Sequence, residues 1–166
     1  MKSQRHSRCG WWLSVLAAGA VCAGDGIGGD FGFRLGDKYE PANALRRDVG
    51  EDGNVSYLAK QLIKHGFFDE VYVEVTPLTN RIYRISARGA ALNPEVCAAQ
   101  QQRMRKNLEA AHADAGYYAL DDGDMFYNKS RLATLGCTGD ERSVTLTLEY
   151  LDEHLEAIAE REARTE

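Results

Sequence analysis

Apolar and polar positions alternate with a period of two along residues 71–76: Val71, Val73 and Val75 point one way, Tyr72, Glu74 and Thr76 the other, as in a half-buried strand. Pro77-Leu78-Thr79-Asn80 makes a tight connection. Residues 81–88 then return, with Tyr83, Ile85 and Ala87 alternating against Arg84 and Ser86, which predicts a hairpin. A second hairpin is predicted farther on. Met125 to Tyr127 and Arg131 to Cys137 read as one strand broken at Asn128, with Ala133, Leu135 and Cys137 on a common face. After the turn Thr138-Gly139-Asp140-Glu141 comes the clearest strand, with Val144, Leu146, Leu148 and Tyr150 inward and Thr145, Thr147 and Glu149 outward.

Two stretches carry the helical period instead. Asn93-Pro94-Glu95 predicts a helix start: Asn as N-cap, Pro where no backbone donor is needed, and an acid at the positive end of the dipole. The helix is expected to run to about Ala115 and stop at Gly116, burying a stripe of Cys97, Met104, Leu108, Ala111 and Ala115, with His112 on its flank. At the end of the chain Leu151, Leu155, Ile158 and Ala159 line one side of a charged helix, with His154 partly covered beside them. Residues 55–66 fit a helix through Leu58, Leu62 and Ile63, or a strand through Val55, Tyr57 and Ala59; a strand over Val55 to Ala59 followed by a loop is the reading taken. The expected fold is α+β: an antiparallel sheet of two hairpins with two helices on one face, preceded by a Gly-rich arm.

That arm spans residues 24–54, which hold eight of the 16 glycines, and a short strand is expected over Asp30 to Leu35. Phe31 and Phe33 would dock either on their own domain or on a partner. Residues 1–23 have the form of a cleaved signal peptide: Lys2, Arg5 and Arg8 without an acid, an apolar run from Trp11 to Cys22, then small residues. The run falls short of the roughly 20 residues that a membrane-spanning helix needs. Cleavage is expected after Ala23, with Ala20 as the competing site. Cys22 raises the alternative of a lipid anchor, although Gly19-Ala20-Val21 lacks the large aliphatic residue such sites usually carry. The division is therefore a signal peptide over 1–23, the arm over 24–54 and one α+β domain over 55–166.

Without Lys2, Arg5 and Arg8, the 20 Lys and Arg fall to 17 against 25 Asp and Glu, a formal net charge of -8. Nucleic acid and anionic membrane are poor partners for such a surface. Cys9 and Cys22 leave with the signal, so Cys97 and Cys137 form the remaining pair. One lies on a helix stripe and the other on the inward face of a strand, and a pair so placed in an exported chain predicts a disulfide.

Candidate chemistry is sparse. Gly24-Asp25-Gly26-Ile27-Gly28-Gly29 matches G-x-G-x-x-G in letters, but no strand leads into it and no helix leaves it. Asp121, Asp122 and Asp124 lack the spacing and distal glutamate of a calcium loop. His65, His112 and His154 fall in no metal-ligand spacing, and no nucleophile and base are paired in sequence. The expectation is no enzyme, no catalytic residue, no metal and no cofactor. What remains is the outward face of the sheet, where Tyr72, Glu74, Arg84, Ser86, Thr145, Thr147 and Glu149 mix aromatic, charged and hydroxyl groups suited to recognition.

The string Val73-x-Val75-Thr76-Pro77-x-Thr79-Asn80-Arg81-Ile82-Tyr83-x-Ile85, with Cys97, Cys137 and the Leu-x-Leu-x-Tyr strand at Leu146 to Tyr150, resembles small uncharacterised exported proteins of Gram-negative bacteria. The resemblance covers residues 67–160, and Phe31-Gly32-Phe33-Arg34-Leu35-Gly36 is similar to the segment that often precedes such domains. It implies a periplasmic disulfide domain and supplies no activity. The expected function is a soluble periplasmic binding or interaction module of accessory, inhibitor or immunity type, with another envelope protein as partner. A small hydrolase using acidic residues and a lipid-anchored envelope assembly factor are the alternatives.

Overall fold

The computed structural model describes residues 27–121, 123–140 and 142–165; the expected signal peptide, its cleavage site and Cys22 lie outside them. Eight strands form one antiparallel sheet: β1 (Ala44–Val49), β2 (Val55–Ala59), β3 (Glu70–Val75), β4 (Ile82–Leu92), β5 (Gly116–Leu120), β6 (Gly123–Asn128), β7 (Arg131–Gly139) and β8 (Val144–Asp152). Their order is β1-β2-β3-β4-β8-β7-β6-β5, two four-stranded meanders meeting where β4 pairs with β8. Helix α1 (Pro94–Ala111) carries the chain from β4 to the far edge, and α2 (Glu153–Ala163) follows β8. The antiparallel sheet with two helices agrees with the expected class, but the sheet has twice the strands of two hairpins.

The hairpin of β3 and β4 is where its sequence predicts it. Thr76, fully buried, bonds through Oγ1 to the Thr79 hydroxyl at 2.6 Å and accepts the Arg81 amide at 2.9 Å, while Asn80 takes a left-handed φ of 53°. The two threonine hydroxyls of the Thr-Pro-x-Thr-Asn string thus bond each other across the turn, and the Asn80 side-chain amide donates to the Tyr39 carbonyl at 2.8 Å. One residue departs from the expected alternation. Glu74 pairs with Arg84 but Val75 with Ile82, so Tyr83 is an extra residue in β4. This bulge turns Tyr83 and Arg84 to the same face and gives the inward place to Ile82.

In α1 the expected cap is present: Asn93 Oδ1 accepts the Val96 amide at 2.9 Å, with Pro94 at the first position. Cys97, Met104 and Leu108 are buried against the sheet, and Cys97 is disulfide-bonded to Cys137 of β7. Closing a 40-residue separation stabilises the fold by roughly 4 kcal/mol in the chain-entropy model. The helix ends earlier than expected. Ala111 is exposed and His112, expected on the flank, is the buried residue, with its ring between Phe126 and Tyr150.

The break expected at Asn128 is present and is a full reversal: Asn128 pairs with Arg131 across a tight turn in which Lys129 has φ 59°, so the two pieces are separate, paired strands. Residues 117–120, to which the sequence assigns no element, form with Gly116, the expected helix stop, the edge strand β5.

Residues 30–35 form turns and not the expected short strand. Ile27, Phe31, Phe33, Leu35 and Tyr39 are buried in the same cluster as Val71, Val73 and Ile85, so both phenylalanines dock on their own domain. Gly29 is needed there: its φ is 118°, and a Cβ would stand 2.6 Å from the Phe33 carbonyl oxygen.

The N-terminal segment and α1 together cover the inner face of the sheet. Helix α2 does not join them. Asp152 caps it directly at the end of β8, accepting the Leu155 amide at 3.1 Å, and its Ala159 packs on Tyr83 and Leu151, which point to the outer face. The two helices therefore lie on opposite faces, a correction to the single helical layer expected. His154 in the first turn of α2 is exposed, not partly covered.

Candidate functional site

The strand register brings all seven predicted residues onto the outer face. Tyr72 pairs with Ser86, Ser86 with Glu149 and Glu74 with Arg84, while Thr147 and Thr145 continue β8 beyond Glu149. Their surroundings divide them into two groups.

Under α2 the groups are bound to each other. The Arg84 guanidinium lies 3.6 Å from Glu74 Oε1, 3.8 Å from Glu149 Oε1 and bonds to Glu156 of α2. Burial alone would lower its pKa; the three carboxylates outweigh that and hold it above the ordinary arginine value. The Tyr83 hydroxyl donates to Glu74 Oε2 at 2.7 Å, and burial together with that bond pushes its pKa up. This end of the face fastens a helix to the sheet, and Glu74 and Arg84 have little left to offer a ligand.

Away from α2 the face is open. A groove of about 460 Å³ runs across it, lined by Ser86, Arg88, Thr134, Thr138, Thr145, Thr147 and Glu149. Between Thr134 and Thr138, β7 has Gly136 opposite Thr147, a position without a side chain in the same row. The walls are threonines, which suit a strand through their branched Cβ and present a hydroxyl to solvent. Thr147 Oγ1 donates to the Gly136 carbonyl at 3.2 Å and Ser86 Oγ to Glu149 Oε2 at 3.1 Å. Beyond the groove, the Arg88 guanidinium stands 5.6 Å over the ring of Tyr72, whose hydroxyl bonds Glu70. The groove thus offers hydroxyls, one cation and one carboxylate in a polar trough.

Of the predicted set, Ser86, Thr145, Thr147 and Glu149 line this groove, Tyr72 borders it, and Glu74 and Arg84 belong to the helix anchor. Arg88, Thr134 and Thr138 were missed. Their signal was the same alternation: Thr134 and Thr138 are out of phase with Ala133, Leu135 and Cys137, and Arg88 is in phase with Arg84 and Ser86.

On the inner side, a second groove of about 460 Å³ between α1 and β5 holds Asp124. That carboxylate is buried, accepting from Tyr117 at 2.6 Å and Gln101 at 2.9 Å, with Arg105 at 3.6 Å. The bond to Asp124 raises the Tyr117 pKa. The cluster ties β6 to α1. Among the described residues no group of three or more His, Cys, Asp or Glu is placed to hold a metal, and no helix is long and apolar enough to cross a membrane. Comparison of the chain with family models, curated proteins and solved structures finds no match.

Proposed function

We propose that this chain is an exported binding module that works in the periplasm, without catalysis, by recognising another envelope protein through the open half of its outer sheet face. The signal-like residues 1–23 and the Cys97–Cys137 bridge support the compartment. The observation that carries the binding reading is the threonine-walled groove, a trough beside a helix that covers only one end of the sheet. Its polar groups are suited to fixing the register and orientation of a partner.

The test is recovery of partners from envelope extract on immobilised wild-type protein, on Thr145→Arg plus Thr147→Arg, and on Arg103→Glu on exposed α1 as control. The proposal expects a partner retained by wild type and control and lost, by tenfold or more, from the groove variant. Equal recovery on all three, or recovery on none, contradicts it.

A further inference from the structure

The two ends of the sheet are protected very differently. At one edge, β1 carries Arg46, Arg47 and Asp48 and a register irregularity between Ala44 and Arg46, the charges and bulge that discourage another chain from pairing. At the other edge, β5 reads Gly-Tyr-Tyr-Ala-Leu: no charge, no proline, and every residue exposed. Tyr118 and Leu120 are 54% and 45% exposed and share the outer face with Met125 and Tyr127 of β6. An uncharged edge with bare backbone donors and acceptors and a flanking apolar patch is a template for strand addition.

We infer that the edge of β5 is a docking strip for an extended segment of a partner protein, apolar at its centre and basic at both ends, which joins the sheet as a further strand. The acids at the two ends of β5 select this occupant, since Arg105, the cation beside Tyr117, is held by Asp124. Exposed Asp114 precedes the strand and exposed Asp121 follows it, so carboxylates stand at both ends of an apolar centre. A second copy is a poor occupant: antiparallel pairing of β5 with itself brings Asp114 of each copy within one position of Asp121 of the other, at both ends. A segment carrying Lys or Arg at each end meets both acids, while its backbone takes the free hydrogen bonds and its apolar side chains cover Tyr118 and Leu120. This strip is separate from the threonine groove, and either can bind without the other.

The experiment titrates the isotope-labelled, disulfide-bonded protein with two short extended peptides, Lys-Val-Thr-Val-Thr-Lys and Glu-Val-Thr-Val-Thr-Glu, following amide resonances. The basic peptide is expected to shift Tyr117 to Leu120 and leave Ala44 to Val49 in place, and to bind about fivefold more tightly than the acidic one. Asp114→Lys plus Asp121→Lys should reverse that order, and Tyr118→Lys should weaken the basic peptide; dispersed spectra show that each variant is folded. Equal affinity for both peptides, no shift in β5, or a concentration-dependent dimer removed by Tyr118→Lys would overturn the inference, the last in favour of a second copy. None of these outcomes bears on the groove variants, so the two readings fail separately.

Discussion

The His112 ring lies between Phe126 and Tyr150 at the end of α1, and neither of its nitrogens has a hydrogen-bond partner. Burial lowers its pKa from 6.5, with Asp30 opposing weakly from the N-terminal segment. Above that ordinary value the ring is neutral in both folded and unfolded chains, and its titration contributes nothing. As pH falls below it, the unfolded chain takes up a proton that the folded one resists, so stability is lost by at most about 1.4 kcal/mol per pH unit until the lowered folded value is reached. Denaturant unfolding of wild type and His112→Leu from pH 8 to 5 measures this directly. The variant should be as stable as wild type or more so at pH 8 and should lose less stability on acidification; parallel curves would refute the assignment. The position was legible in part, since Met104, Leu108 and His112 recur at steps of four, but a polar ring set against that signal. Tyr83 was not legible. Its inward place followed from strict alternation, and a bulge set by the pairing of two strands reverses it.

At the scale of elements, α2 is latched to the β3–β4 turn as well as packed on Leu151. Glu162 Oε2 accepts the Leu78 amide at 2.8 Å and the Thr79 amide at 3.3 Å, while Oε1 accepts the Thr79 hydroxyl at 3.2 Å. Glu162→Ala should speed hydrogen exchange at Leu78 and Thr79 and cost about 1 kcal/mol of stability, the lower end of the range because the site is exposed. Unchanged exchange at both amides would show that the latch does not form in solution. Elements with one buried face, β3, β4, β8 and α1, were readable because burial writes a period into the sequence. β5 has no buried face and so writes none. The reversal between β6 and β7 depended on a single left-handed residue, Lys129, which no alternation announces.

At the scale of the molecule, the disulfide was foreseen because helix and strand periods independently put Cys97 and Cys137 in one layer. The placement of α2 on the other layer was not, because it turns on the direction in which the chain leaves β8 at Asp152, and periodicity within each element is silent on that. The consequence is functional. With the N-terminal segment and α1 inside and α2 covering the end of the outer face that holds Tyr83, Arg84, Leu132 and Leu151, the threonine-walled part of that face is left open. The most direct test places a photo-crosslinking residue at Thr147 in the trough, or at exposed Arg103 on α1, in cells exporting the protein. The account predicts a discrete adduct with an envelope protein from position 147 and none from 103; adducts from 103 alone, or the same adducts from both, would contradict it.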